Sequence, residues 1–450
     1  MKTRFRITSR FIVLLMSGFL AAGTAYAQES EEDRRDKQQT KEAQAVSKEV
    51  YDKIQQAQEA VEAKDYQGAL RTLNALRQRE LTEYELTNVL NYIGFVYYNM
   101  DDTVRAMSAY EEMLQIPSLE EQTRKATIYT LAQLSTMEEE YTKALDYLDQ
   151  WFALESNPAP EPYILYAQNL YQIERYSDMV RPIETAMEIA RKREVQVKED
   201  WYVLLNFAYF QQENFAKVME INKILLQNWP KKRYWFQLAG AFTELGEDTN
   251  LVAAYDALHT QELLESESEL VTMAQLYMQY EVPYKAARLL ETEMESGRVS
   301  KNAKNYRLLS QAWSLAMDDE KAIPALREAA RLDDDPELYI RLGNAYLNMG
   351  EYEDCITAVN RGLEKGGLDA TENARISLGM CLYNLKRYND AIAAFRLAAR
   401  SERTRRLANQ WITVVESDIA REEQIRLAEQ SAQRQRERLA NRRRQTGLDL

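Results

Sequence analysis

Along most of the chain, apolar and small residues recur three and four positions apart, and each such run ends at a short polar turn. That spacing marks one face of a helix. In the stretch 339–366, YIRLGNAYLNMGEYEDCITAVNRGLEKG, Gly343 and Tyr346 share one helical face. After the turn NMGEY, Cys355, Val359 and Gly362 share another. Two amphipathic helices joined by a glycine-containing turn form a hairpin, and neither buries its stripe alone, so the hairpin needs neighbours. No run of alternating β-branched residues is long enough for a strand. With only 14 Gly and 9 Pro in 450 residues, helix is the default.

The pattern repeats. Downstream, ISLGMCLYNLKRYNDAIAAFRLAARS puts Gly379, Leu382, Tyr388, Ala391, Phe395 and Ala398 at the same offsets. Upstream, Ser310, Trp313, Ala322, Leu326 and Ala329 form one copy, and Gly94, Tyr97, Ala106, Tyr110 and Met113 another. Ten units begin near residues 50, 87, 125, 160, 199, 232, 267, 303, 336 and 372. Their spacing matches a helix–turn–helix repeat with a period of about 34 residues. These units resemble tetratricopeptide repeats, most closely in the last two. The resemblance implies an all-α fold, an α-solenoid of about ten helix–turn–helix repeats forming a superhelix. Small residues (Gly94, Ala132, Ala167, Ala239, Ala274, Gly343, Gly379) then let paired helices approach, and Tyr97, Tyr209, Phe242, Tyr277, Trp313 and Tyr346 fill the core between units.

The flanks differ from the repeats. Lys2, Arg4, Arg6 and Arg10, the apolar run 11–23 and the motif Ala25-Tyr26-Ala27 predict a cleavable secretory signal over 1–27. The run is shorter than the ~20 residues a membrane span needs, with a retained anchor as the alternative. No cysteine follows the cleavage site, so no lipidation is expected there. A charged, disordered lead-in is expected over 28–49 and the solenoid over 50–401. A capping helix is expected over 402–420, carrying the stripe Leu407, Trp411, Val414, Val415 and Ile419. An Arg/Gln-rich helical tail is expected over 421–450.

Charge and rare residues narrow the chemistry. The net charge of −14 disfavours nucleic acid and anionic lipid as partners. The tail runs against this balance, with Arg434, Arg436, Arg438, Arg442, Arg443 and Arg444. They are read either as a solvated helix or as a patch that docks on an acidic surface, self-association included. There is no phosphate-binding glycine loop, no HExxH and no CxxC pair, and the single histidine, His259, makes no metal cluster. Hence no catalytic residue, cofactor or metal is predicted, and the protein is expected not to be an enzyme. Cys355 and Cys381 are expected to lie near each other at small, buried positions. The balance favours free, packed thiols, with a disulfide as the alternative.

In tetratricopeptide proteins the concave wall, lined by first helices, is the usual peptide-binding surface. Carried over unit by unit, it would comprise Asn91, Phe95, Tyr98 and Asn99, then Tyr129 and Gln133, Gln168 and Tyr171, and Phe207 and Phe210. Phe236, Gln275 and Met278, Arg307 and Gln311, Asn344 and Asn348, and Tyr383 and Asn384 complete it. Amides among aromatics suit an extended peptide, although the aromatics can instead close the superhelix on itself. A terminal-carboxylate clamp is not carried over, because only Arg307 is basic. The resulting expectation is a periplasmic scaffold binding a segment of another protein. It resembles the secreted repeat proteins of envelope-assembly or TonB-type energy-transduction systems. A cell-wall glycan-binding subunit and an oligomeric structural element are the alternatives.

Overall fold

The computed structural model describes residues 46–333 and 335–445, with side chains up to Arg442. The expected signal, nearly all of the lead-in, the side chains of Arg443 and Arg444, and residues 446–450 lie outside the described residues. Every regular element among the described residues is helical. Two compact units divide at Gln212. The first unit holds α1 (Lys48–Glu62), α2 (Tyr66–Arg77), α3 (Glu83–Asn99), α4 (Thr103–Leu114), α5 (Glu121–Met137), α6 (Tyr141–Leu154), α7 (Pro160–Gln172), α8 (Tyr176–Lys192) and α9 (Glu199–Gln211). The second begins with α10 (Phe215–Asn228), α11 (Lys232–Leu245), α12 (Asp248–Thr260), α13 (Glu267–Gln279), α14 (Pro283–Glu295) and α15 (Ala303–Leu315). It continues with α16 (Asp319–Leu332), α17 (Pro336–Met349), α18 (Tyr352–Lys365), α19 (Thr371–Asn384), α20 (Tyr388–Ala398) and the long α21 (Glu402–Gln445). Within each unit, each helix packs on the next in sequence, the arrangement of an α-solenoid.

One turn design recurs between the two helices of a pair. A single residue takes the left-handed conformation: Lys64, Asp101, Glu139, Glu174, Glu213, Gly246, Glu281, Met317, Gly350 and Lys386. In nine of these turns the next N–H reaches five residues back. Asp102 N bonds Tyr97 O at 2.9 Å, and Val282 N bonds Tyr277 O at 2.7 Å. This is the longer bond of a Schellman closure, which satisfies carbonyls left open at a helix end. The residue that donates it also starts the second helix. Asp65, Asp102 and Asp318 there accept from the backbone N–H three residues on.

Packing follows the small and aromatic positions. Ala132, Ala167, Ala239 and Ala274 are buried, as are Tyr277, Trp313 and Tyr346, whereas Tyr97 is half-buried. A side chain at Gly343 would put its first carbon 2.4 Å from Val359 Cγ2, and one at Gly379 would meet Phe395 Cε1 at 2.4 Å. Only glycine permits those two approaches. In the second unit, one cluster of buried apolar residues runs from Leu258 to Val415.

Two expectations are corrected. Cys355 on α18 and Cys381 on α19 are not free thiols but form a disulfide, with Cα atoms 6.4 Å apart. Antiparallel neighbouring helices bring the two positions within reach, as the spacing suggested, and the side chains also point toward each other. In the capping stripe, Val415 is buried and Trp411 and Ile419 pack beside it as expected, but Leu407 and Val414 are exposed, and Thr404, Ala408 and Ile412 complete the inward face. Trp411 lies parallel to Phe395 at 5.7 Å and so closes the last pair. The capping and tail stretches form one helix without a break.

Candidate protein-binding surface

The predicted surface consists of outward positions on first helices, so its geometry is set by which of those side chains find partners nearby. In the first unit, Asn91, Phe95 and Tyr98 on α3 are half-buried and Asn99 is exposed. Asn99 Nδ2 donates to Phe95 O at 2.8 Å. Tyr98 packs against the cluster around Leu90, Met113 and Leu131. On α5, Tyr129 and Gln133 are half-buried. The Tyr129 ring lies 5.2 Å from Trp151, and burial pushes its hydroxyl up to about 12. Gln168 on α7 is half-buried.

Two predicted residues are brought into direct contact. Tyr171 and Phe207 meet edge-to-face at 5.0 Å, and Tyr176 joins them, 5.1 Å from Phe207. These rings cover one another, so much of their apolar area is spent inside the unit. Phe210, one turn further along α9, is 54% exposed.

In the second unit the predicted residues fall into two groups. Some are held by the fold. Phe236 packs against Tyr255 at 6.0 Å, with the Lys232 ammonium 5.8 Å over its ring. Met278 lies against the apolar core and Gln311 is half-buried. Arg307 donates to Asp333 and to Asp335 at 2.8 Å each, so its charge is neutralised from the connection before α17. Tyr383 donates to Asp418 on α21 at 2.6 Å and lies 5.6 Å from Trp411. It therefore helps seat the closing helix.

The remaining residues are open. Gln275 on α13, Asn344 and Asn348 on α17, and Asn384 on α19 are exposed. Asn348 Nδ2 donates to Asp319 Oδ2 and Asn384 Nδ2 to Met380 O, both at 2.8 Å. Each amide retains its carbonyl oxygen and a second N–H for other partners. Because α17 also touches α19, Asn344, Asn348 and Asn384 lie on neighbouring first helices. Of the basic cluster, Arg434, Arg436, Arg438 and Arg442 are exposed on α21.

Two cavities lie elsewhere, and neither contains a residue of the predicted set. One, of about 300 Å³, is lined by His259, Tyr277, Tyr284, Lys285, Arg288 and Glu293 among others. There the buried Glu293 receives Arg298 Nη2 at 2.6 Å, with His259 Nε2 at 3.5 Å. The other, of about 230 Å³, is lined by Arg327, Arg331, Tyr339, Leu342 and Arg361. Arg361 lies 4.8 Å over the Tyr339 ring, Arg327 Nε donates to Tyr346 OH at 2.5 Å, and Arg331 pairs with Glu328 at 2.8 Å. In sequence these arginines read as ordinary helix-surface charge, and no spacing signal sets them apart. Among the described residues, no three metal-ligating side chains gather, and no helix is long and apolar enough to cross a membrane.

Comparison with known proteins follows the same lines. A family model described as tetratricopeptide repeat matches residues 336–364 and 373–404, the α17–α18 and α19–α20 pairs. No curated protein matches. Among solved structures, the chain is similar to MamA protein at 21% identity, covering 38% of this chain and 91% of that one with a TM-score of 0.32. It is similar to the TPR2AB domain of yeast Sti1, whose structure is a complex with pHSP90, at 16% identity, 59% and 99% coverage, and a TM-score of 0.34. YrrB, described as a TPR protein with an unusual peptide-binding site, matches at 17% identity with 42% and 95% coverage and a TM-score of 0.34. The last two pairs thus match the tetratricopeptide repeat by sequence, and earlier pairs carry the same left-handed turn residue.

Proposed function

We propose that the protein is a non-enzymatic scaffold that binds a segment of another protein along the outward faces of its first helices. The observation that carries this reading is the set of exposed amides on adjacent helices of the second unit, Asn344, Asn348 and Asn384, while Arg307, the one basic residue of the set, is already neutralised by two aspartates. Amides without a free charge suit the alternating donors and acceptors of an extended main chain. They offer no clamp for a terminal carboxylate. The glycan alternative has less behind it, since Tyr171 and Phe207 are turned toward each other rather than outward.

The setting we propose is the periplasm, within an envelope-assembly or TonB-type transport complex. The secretory signal expected from the sequence of residues 1–27 is the ground for that compartment, and the Cys355–Cys381 bond suits its oxidising chemistry. The TonB-type link rests on resemblance in layout. A photo-crosslinking residue at Asn344 or Asn384, compared with one at Arg361, tests the surface in cells. A defined adduct from the two amide positions and none from Arg361 supports it. Equal labelling, or none, overturns it.

A further inference from the structure

From Glu423 to Arg442, every side chain of α21 is exposed. That is about 30 Å of helix at 1.5 Å per residue. A polar helix of this length is marginal in water without a packed face. The stretch carries apolar residues at Ile425, Leu427, Ala428, Ala432, Leu439 and Ala440. Of these, Ile425, Ala432 and Leu439 are spaced seven apart in one line, and Ile425 and Leu439 are 52% and 54% exposed. Seven-residue spacing keeps side chains on one seam of a two-helix coil. The line is also symmetric, since Ala432 is its midpoint and the two larger residues stand at equal distances on either side.

Charge is arranged about the same midpoint. Before Ala432 stand Glu423 and Glu429 with one opposing Arg426. After it stand Arg434, Arg436, Arg438 and Arg442 with one opposing Glu437. A parallel pair of such helices would stack arginine on arginine. An antiparallel pair sets each acidic stretch against the other copy's basic stretch, and places Ile425 opposite Leu439 with the small Ala432 at the crossing. We propose that α21 docks against the α21 of a second copy, antiparallel and centred on Ala432, making the protein a tail-to-tail dimer. The sequence alone left solvent, the chain's own acidic repeats, an acidic partner or a second copy as occupants of the tail; the symmetry of line and charge favours the second copy.

The test uses the full mature chain. Sedimentation should show a dimer that weakens with added salt, because the charge pairing is exposed. Ile425→Asp with Leu439→Asp should abolish it, and circular dichroism should show the repeats intact. Orientation is read from cysteine pairs, the native cysteines being bonded and buried. When Ile425→Cys and Leu439→Cys chains are mixed and oxidised, the antiparallel pair gives the mixed cross-link and little of either like-with-like product. Like-with-like products in excess mean a parallel pair and overturn the proposal. So does a chain that stays monomeric at low salt.

Discussion

Cys355 Sγ is bonded to Cys381 Sγ, so the second helix of the ninth pair is joined covalently to the first helix of the tenth. The link closes a loop with a sequence separation of 26. A loop of that size is worth about 3.5 kcal/mol through the unfolded chain it restrains. The expected result is that the double variant Cys355→Ala/Cys381→Ala melts lower than the parent and that reductant lowers the parent to the same value. Thiol counting on unfolded, unreduced protein should find no free thiol, and two would contradict the bond.

Glu85 gives the first unit a defined response to acid. Its carboxylate is buried and accepts from Ser47 N and Thr82 N at 3.0 Å each. Hydrogen bonds from Ser47, and then from Thr82, hold it down to about 2 against the opposing effect of burial, from an ordinary value of 4.5. The folded value is the lower one, so the stabilisation is fully present above 4.5 and is lost as pH falls toward 2. Its size is on the order of 2–3 kcal/mol. Chemical denaturation of Glu85→Gln is expected to show lower stability at neutral pH and a flatter dependence between pH 5 and 2. Parallel curves for the two proteins would mean that this carboxylate does not carry the effect.

Eight of the ten left-handed turn residues are not glycine, and among those eight Met317 alone is apolar, with φ of 58° and 90% of its surface in solvent. A side chain in that region costs about 1–2 kcal/mol, part of which glycine gives back through its freer unfolded chain. Met317→Gly is therefore expected to raise stability by roughly 0.5–1 kcal/mol. A melting curve checks the sign, and a lower midpoint would show that Met317 makes contacts that outweigh the backbone strain.

The helical register was the most legible feature. Six of the ten expected unit starts coincide with helix starts, at 160, 199, 232, 267, 303 and 336. Core periodicity repeats in every unit, so errors in one are corrected by its neighbours. Turn chemistry was not legible, because Lys64, Glu139 or Glu281 at a left-handed position looks like any charged loop residue. The disulfide depended on the direction of two side chains, which spacing leaves open. On the candidate surface, the exposure of Asn344, Asn348 and Asn384 follows from the repeat frame. The capture of Arg307 by Asp333 and Asp335, and of Tyr383 by Asp418, was not. Those carboxylates come from a connection and from a helix outside the repeat, where no periodic rule applies.

A linear stack frays from its ends, because a terminal pair has one neighbour where an inner pair has two. The sulfur bridge changes what counts as the end. If the apolar contacts of α19 and α20 open, those helices remain leashed to α18 and return from a fixed distance instead of drifting as free chain. A pull on α21 can still draw off α20, which lies beyond Cys381. It then meets the bridge and bears on α18 and α19 together, so unravelling from this end is checked in the middle of the last pair.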